Sequence, residues 1–87
     1  MEQKRIAIFA SGSGTNAENI FKYFLGNEKI MVDSLWANKS DAYALVRAQK
    51  HGVKTFVYNR NQLYNTNEII KTCRNSKVNI IVLAGFL

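Results

Sequence analysis

The sequence predicts an α/β domain of three layers, in which a parallel sheet of four strands, ordered 3-2-1-4, carries helices on its faces. Three observations predict it. Two runs with unbroken apolar stretches, Ile6-Ala7-Ile8-Phe9-Ala10 and Val78-Asn79-Ile80-Ile81-Val82-Leu83-Ala84, lack the polar alternation of a half-exposed strand and read as strands buried on both faces. Segments with apolar residues at helical spacing separate them from each other and from two further strand-like runs, giving the order βαβαβαβ. Parallel neighbours joined this way need right-handed crossovers, which puts strand 1 near the centre of the sheet.

Each element follows from its residues. After strand 1, the residues from Ala17 to Phe24 carry Ala17, Ile20, Phe21 and Phe24 on one helical face. Gly26 to Lys29 makes a turn, and Ile30 to Trp36 forms strand 2. Ser40 is placed to cap a second helix, and Asp41 suits its positive end. That helix, Asp41 to His51, is expected to bury Ala42, Leu45, Val46 and Ala48 and to stop at Gly52 in the left-handed conformation. Lys54 to Tyr58 forms strand 3 and leads into a polar loop, Asn59-Arg60-Asn61-Gln62. A third helix from about Asn67 to Asn75 buries Ile69, Ile70 and Cys73, and strand 4 follows it.

Composition excludes several classes. Eighty-seven residues hold one small domain, without proline, repeats or low-complexity tracts. The apolar runs are too short for a membrane span, and the N-terminus does not read as a signal peptide. Cys73 is the sole cysteine and forms no internal disulfide, so a cytoplasmic location is expected. The net charge of +6 comes from scattered lysines and arginines without a basic run interleaved with aromatics, so no nucleic-acid partner is expected. A diffuse positive field does favour the approach of a phosphorylated small molecule.

The chemistry concentrates where strand 1 ends. Ile6 to Ala10 opens into Ser11-Gly12-Ser13-Gly14-Thr15-Asn16, where glycines allow a sharp turn and a close approach of backbone to ligand. The helix that follows offers first-turn N–H groups to an anion, and Thr15 and Asn16 add donors. The plainer reading is a tight turn in which Thr15 or Asn16 caps the helix. A Walker loop is excluded because no lysine lies between Ser11 and Asn19. Gly12-x-Gly14-x-x-Ala17 matches the permissive dinucleotide fingerprint, but strand 2 ends in Trp36-Ala37-Asn38-Lys39 without the ribose-binding carboxylate, Asp33 lying further back. A simpler phosphate ligand fits better. Strand order places this loop beside Asn38 to Ser40 and Gly85 to Leu87, at the switch point of the sheet. Elsewhere, His51 reads as a helix-end residue and Cys73 as a core residue, while Ser11 and Ser13 lack a nearby base. Metal-ligand spacing is absent, so no metal is expected.

Read together, Ile8 to Asn16, Trp36-Ala37-Asn38-Lys39-Ser40-Asp41-Ala42 and Val82-Leu83-Ala84-Gly85-Phe86-Leu87 resemble the N-terminal part of the phosphoribosylglycinamide formyltransferase family, folate-dependent enzymes of purine synthesis. The resemblance implies a Rossmann-like fold, truncated after strand 4, with residues 1–87 forming the N-terminal, substrate-phosphate-binding half of a formyltransferase domain. It implies that Gly14, Thr15 and Asn16, supported by Gly12 and Ser13, hold the phosphate of phosphoribosylglycinamide. Leu87 would begin the segment lining the site of the cosubstrate 10-formyltetrahydrofolate. The family also places an arginine after strand 3 near the folate, a position to which Arg60 is not securely aligned. The family's catalytic asparagine, histidine and aspartate match no residue here, so the chain alone is expected to be inactive. With no helix or strand after it to cover its apolar residues, the edge of strand 4 is expected to self-associate. The other readings are a formyltransferase acting on another amine, a nucleotide- or dinucleotide-binding Rossmann-like module without chemistry, and a purely structural domain.

Overall fold

The computed structural model describes residues 3–84. Its elements are β1 (Lys4–Ala10), α1 (Thr15–Phe24), β2 (Ile30–Ala37), α2 (Tyr43–Lys50), β3 (Lys54–Val57), α3 (Arg60–Asn65), α4 (Glu68–Asn75) and β4 (Ile80–Ala84). The strands form one parallel sheet in the order β3-β2-β1-β4, as the sequence predicts. Gly85, Phe86 and Leu87, expected near the loop after β1, lie outside the described residues.

Period-2 alternation divides β1 between two cores. Ile6, Ile8 and Ala10 face α1 and α2, whereas Ala7 and Phe9 join Trp36, Tyr58, Ile69 and Cys73 on the side of α4. In β2 the alternation is interrupted. Ile6 pairs with Val32 but Ala7 pairs with Ser34, which leaves Asp33 as the extra residue of a bulge. The bulge restores Ile30, Val32, Leu35 and Ala37 to a single face although their spacing changes parity midway. The buried Asp33 carboxylate is compensated by Arg5 Nη1 at 3.4 Å and Lys54 Nζ at 3.5 Å.

The α4 side is aromatic. In-register Phe9, Trp36 and Phe56 stack across three strands, with ring centroids 5.4 Å and 4.3 Å apart. Trp36 Nε1 donates to Ser34 Oγ at 2.9 Å, so the buried indole keeps a polar partner.

Several local expectations are corrected. Residues 59–62 are not a loop: Asn59 and Gln62 form a reciprocal capping box, each side chain accepting from the other's backbone N–H at 2.8 Å, and α3 follows. The third crossover therefore holds two short helices. Helix α2 begins at Tyr43, with Ala42 at the cap position, so neither Ser40 nor Asp41 belongs to it. Its inner stripe is Ala44, Leu45 and Ala48, and Val46 lies outside it. Ile70 is likewise exposed, since Ile69 and Cys73, four apart, already cover the inner stripe of α4. Tyr58 lies past β3, but its N–H still donates to Ala37 O at 3.0 Å and its ring is buried. Val78 precedes β4, its N–H turned back to Cys73 O at 2.9 Å. Gly52 ends α2 in the left-handed region as expected, at φ 71°.

Candidate functional site

The loop after β1 is built by two glycines and by the neighbouring helix. Gly12 (φ 65°) and Gly14 (φ 73°) both occupy left-handed conformations that other residues rarely adopt. At Gly14 a second constraint applies, because a Cβ there would lie 2.5 Å from Cα and Cβ of Ala44. The loop thus lies directly against the first turn of α2. Ala44 N–H donates to Gly12 O at 3.1 Å, which explains why α2 manages without the expected Ser40 cap: a loop carbonyl takes one of the donors a cap would have satisfied.

Gly14 stands at the cap position of α1, and no side chain caps that helix. Thr15 and Asn16 are exposed residues of its first turn and do not cap it; the Thr15 hydroxyl instead lies 3.1 Å from Ser13 Oγ. The structure therefore brings Gly12, Ser13, Gly14, Thr15 and Asn16 together at an uncapped helix N-terminus. Beside them an open cleft of about 550 Å3 is lined by Ser11, Gly12, Asn38, Lys39, Asp41 and Tyr43. Asn38 and Lys39 stand where strand order placed them. Asp41, expected inside a helix, instead supplies a carboxylate to this cleft.

Sequence reasoning missed a cluster behind the loop. Arg47 of α2 donates from Nε to Ser13 O at 2.7 Å and from Nη1 to Glu18 Oε1 at 2.6 Å. The other carboxylate oxygen of Glu18 lies 3.2 Å from His51 Nε2, and the His51 ring packs on Phe21. Burial pulls the Glu18 pKa upward but is outweighed by the His51 hydrogen bond and by Arg47 and Lys22, so the carboxyl titrates below its ordinary value. No carboxylate is near His51 in sequence. The usable signal was topological, since successive right-handed crossovers set α1 and α2 side by side on one face.

The remaining candidates are placed elsewhere. Arg60 is exposed at the start of α3. Cys73 is buried, and burial first, then the Asp33 charge, pushes its thiol pKa up, away from nucleophilic character. Among the described residues no group of three His, Cys, Asp or Glu side chains is placed to hold a metal ion, and no helix is long and apolar enough to cross a membrane.

Fold and loop together define a Rossmann-like α/β unit with an uncapped helix N-terminus at the carboxyl end of its sheet. Comparison with known proteins then finds relatives that carry one name. The chain is similar to phosphoribosylglycinamide formyltransferase of Haemophilus influenzae, 33% identical over 97% of this chain and 42% of the relative. It is also similar to the chloroplastic phosphoribosylglycinamide formyltransferase of Glycine max, 30% identical over 100% of this chain and 30% of the relative. Among solved structures, phosphoribosylglycinamide formyltransferase from Anaplasma phagocytophilum superposes with a TM-score of 0.87 at 29% identity, over 99% of this chain and 41% of that one. Glycinamide ribonucleotide transformylase 1 from Geobacillus kaustophilus gives a TM-score of 0.84 at 30% identity, over 99% of this chain and 48% of that one. No family model matches the chain. The resemblance read from the sequence stands: the whole chain matches the N-terminal part of phosphoribosylglycinamide formyltransferases, and spans less than half the length of these relatives.

Proposed function

We propose that this chain is the substrate-phosphate-binding part of a phosphoribosylglycinamide formyltransferase, which transfers a formyl group from 10-formyltetrahydrofolate to phosphoribosylglycinamide in purine synthesis. The observation that carries the reading is the uncapped N-terminus of α1, presented by Gly12 and Gly14 in left-handed conformations. A phosphate set there accepts from the amides of Gly14, Thr15 and Asn16 and from the Thr15 hydroxyl, and gains the favourable end of the helix dipole. Gly12 and Ser13 shape the turn. The family's reaction joins the glycinamide amine to the formyl carbon, with polar groups stabilising the developing oxyanion and moving protons. In this reading none of the 87 residues takes the part of the family's catalytic asparagine, histidine or aspartate, and we propose that they contribute binding without the chemistry. Leu87, proposed to open the folate-lining segment, would add one wall of the second site. A cytoplasmic location, without nucleic-acid, membrane or metal partners, completes the proposal.

Titration of the labelled protein with phosphoribosylglycinamide tests it. The amide signals of Gly14, Thr15 and Asn16 are expected to shift, and Thr15→Ala to weaken the response. A folded protein whose loop signals do not move in millimolar ligand would remove the proposal. Formyl transfer by the purified chain, with host enzyme excluded, would overturn the assignment of binding without chemistry. We further propose that a polypeptide of this sequence self-associates along β4, an edge strand among the described residues whose Ile81 and Leu83 are 54% and 64% exposed. Sedimentation at tens of micromolar is expected to show oligomers, and a compact monomer would refute the association.

A further inference from the structure

The carbonyls of Gly12 and Ser13 are both held by α2, the first by Ala44 N–H at 3.1 Å and the second by Arg47 Nε at 2.7 Å. No peptide bond in the described chain is cis. In a trans peptide the C=O and the following N–H point in opposite directions. Fixing these two carbonyls toward α2 therefore turns the N–H groups of Ser13 and Gly14 away from it, as consecutive donors of an anion-binding concavity. Ser13 lies between two left-handed glycines, the residue type with the greatest backbone freedom, and its one local tie is the exposed contact of its hydroxyl with that of Thr15 at 3.1 Å. The bonds that fix the backbone carbonyls come from the neighbouring helix.

Arg47 is equipped to supply it. Its guanidinium is fixed at three points: Ser13 O, Glu18 Oε1 at 2.6 Å, and the face of Tyr43, 4.9 Å from the ring centroid. Its side chain is 25% exposed, and its charge is matched by Glu18, which His51 steadies from the other oxygen. A guanidinium committed in this way serves as a fixture and leaves the ligand to the backbone. We propose that Arg47 is the positioning residue of the loop, locking the Ser13–Gly14 peptide through Ser13 O and thereby aiming the amides on which anion binding depends. The role in binding rests on the phosphate reading above; the role in loop order does not.

Arg47→Lys separates positioning from general support. A lysine keeps the positive charge opposite Glu18 but, as a single ammonium, cannot reproduce the planar fork that spans Glu18 and Ser13 O together. In Arg47→Lys the amides of Ser13 to Asn16 are expected to exchange about tenfold faster, while those of the β1 core exchange as before. Affinity for inorganic phosphate, the probe, is expected to fall about tenfold, the usual effect of losing one charge-assisted hydrogen bond. Unchanged loop exchange in Arg47→Lys would overturn the proposal, even where phosphate still binds. Loosened loop amides in a protein that ignores phosphate would instead uphold Arg47 and refute the phosphate reading. Should Arg47→Lys fail to fold, the wild-type Arg47 Nε–H decides: slow exchange with water supports the fixture, and free exchange overturns it.

Discussion

The two faces of the sheet are packed by different rules. Toward α1 and α2 the contacts are made mostly by small and aliphatic residues, Ala10, Ala17, Ala37, Ala44 and Ala48 among Ile6, Ile8 and Leu35, with Phe21 the one buried ring. Toward α3 and α4 they are made by Phe9, Trp36 and Tyr58, with Ile69 and Cys73 closing only part of the layer. Small side chains let backbones approach, and the loop after β1 needs that approach, because Gly14 rests on Ala44 with no space for a methyl group. On the other face large stacked rings fill the volume between sheet and helix. The difference teaches that the proposed site sits on the face where backbone position is most tightly determined, while the aromatic face ends in an open hollow of about 360 Å3 bordered by Phe9, Leu63, Tyr64, Ile69, Ile81 and Leu83.

The largest test of this contrast is a matched pair of truncations. Leu35 is completely buried, so Leu35→Ala leaves a void that its neighbours cannot close and is expected to cost about 4 kcal/mol. Ile69 borders the hollow, where side chains can relax and water can enter, and Ile69→Ala is expected to cost about 2 kcal/mol. Denaturant unfolding measures both. Equal costs would mean that the aromatic face is as closed as the other.

A second pair examines the loop itself. Gly14→Ala combines the left-handed penalty of roughly 1–2 kcal/mol with a clash against backbone that no rotamer relieves, worth a further 1–3 kcal/mol or so. A total near 3 kcal/mol is expected. Gly12→Ala meets nothing within 4 Å and should lose only the conformational part, about 1 kcal/mol. If the two variants unfold together, the contact between Gly14 and Ala44 is not limiting.

These positions also show what can be read in a sequence of this kind. Strand order, the β1 run and the Gly52 stop were legible because each rests on a local pattern or a topological rule. The Asp33 bulge was not, since Ile30, Val32, Leu35 and Ala37 change parity and only pairing with β1 reveals the inserted residue. Asn59 and Gln62 did carry a capping signature, but Asn-x-x-Gln in a polar stretch without a strong apolar stripe reads equally as loop. The start of α2 was misread because Gly12, thirty-two residues before Ala44, does the work expected of Ser40. Arg47, Glu18 and His51 were invisible as a group for the same reason: the geometry that joins them exists only after two crossovers are complete. In the proposed site, then, the loop was legible and its support was not.

A smaller effect separates the ends of the two principal helices of these faces. Both α2 and α4 end in paired bonds of one type, Gly52 N–H to Gln49 O and Val53 N–H to Ala48 O, against Lys77 N–H to Arg74 O and Val78 N–H to Cys73 O. The left-handed position is glycine in the first and Lys77, at φ 61°, in the second. Lys77→Gly relieves that strain and gives back part of the gain as unfolded-state entropy, for a net stabilisation of about 0.5 kcal/mol. A lower melting temperature would show that the lysine side chain contributes something the turn geometry does not reveal.

The faces should also fail at opposite ends of the pH scale. The folded Glu18 carboxyl titrates below its ordinary value of 4.5, so its contribution is fully present above that value and is lost as pH falls through the folded one. On the aromatic face, burial raises the pKa of Cys73 and of Tyr58, so the fold favours their neutral forms and loses stability as pH rises through their unfolded values. Melting temperatures of the wild type, Glu18→Gln, and Cys73→Ala combined with Tyr58→Phe, followed from acid to alkaline pH, separate the two. Glu18→Gln is expected to flatten the acid limb alone and the double variant the alkaline limb alone. Were Glu18→Gln to leave the acid limb unchanged, the cluster of Glu18, Arg47 and His51 would not stabilise the loop-bearing face through charge, and the apolar core with the packing of Gly14 on Ala44 would hold it.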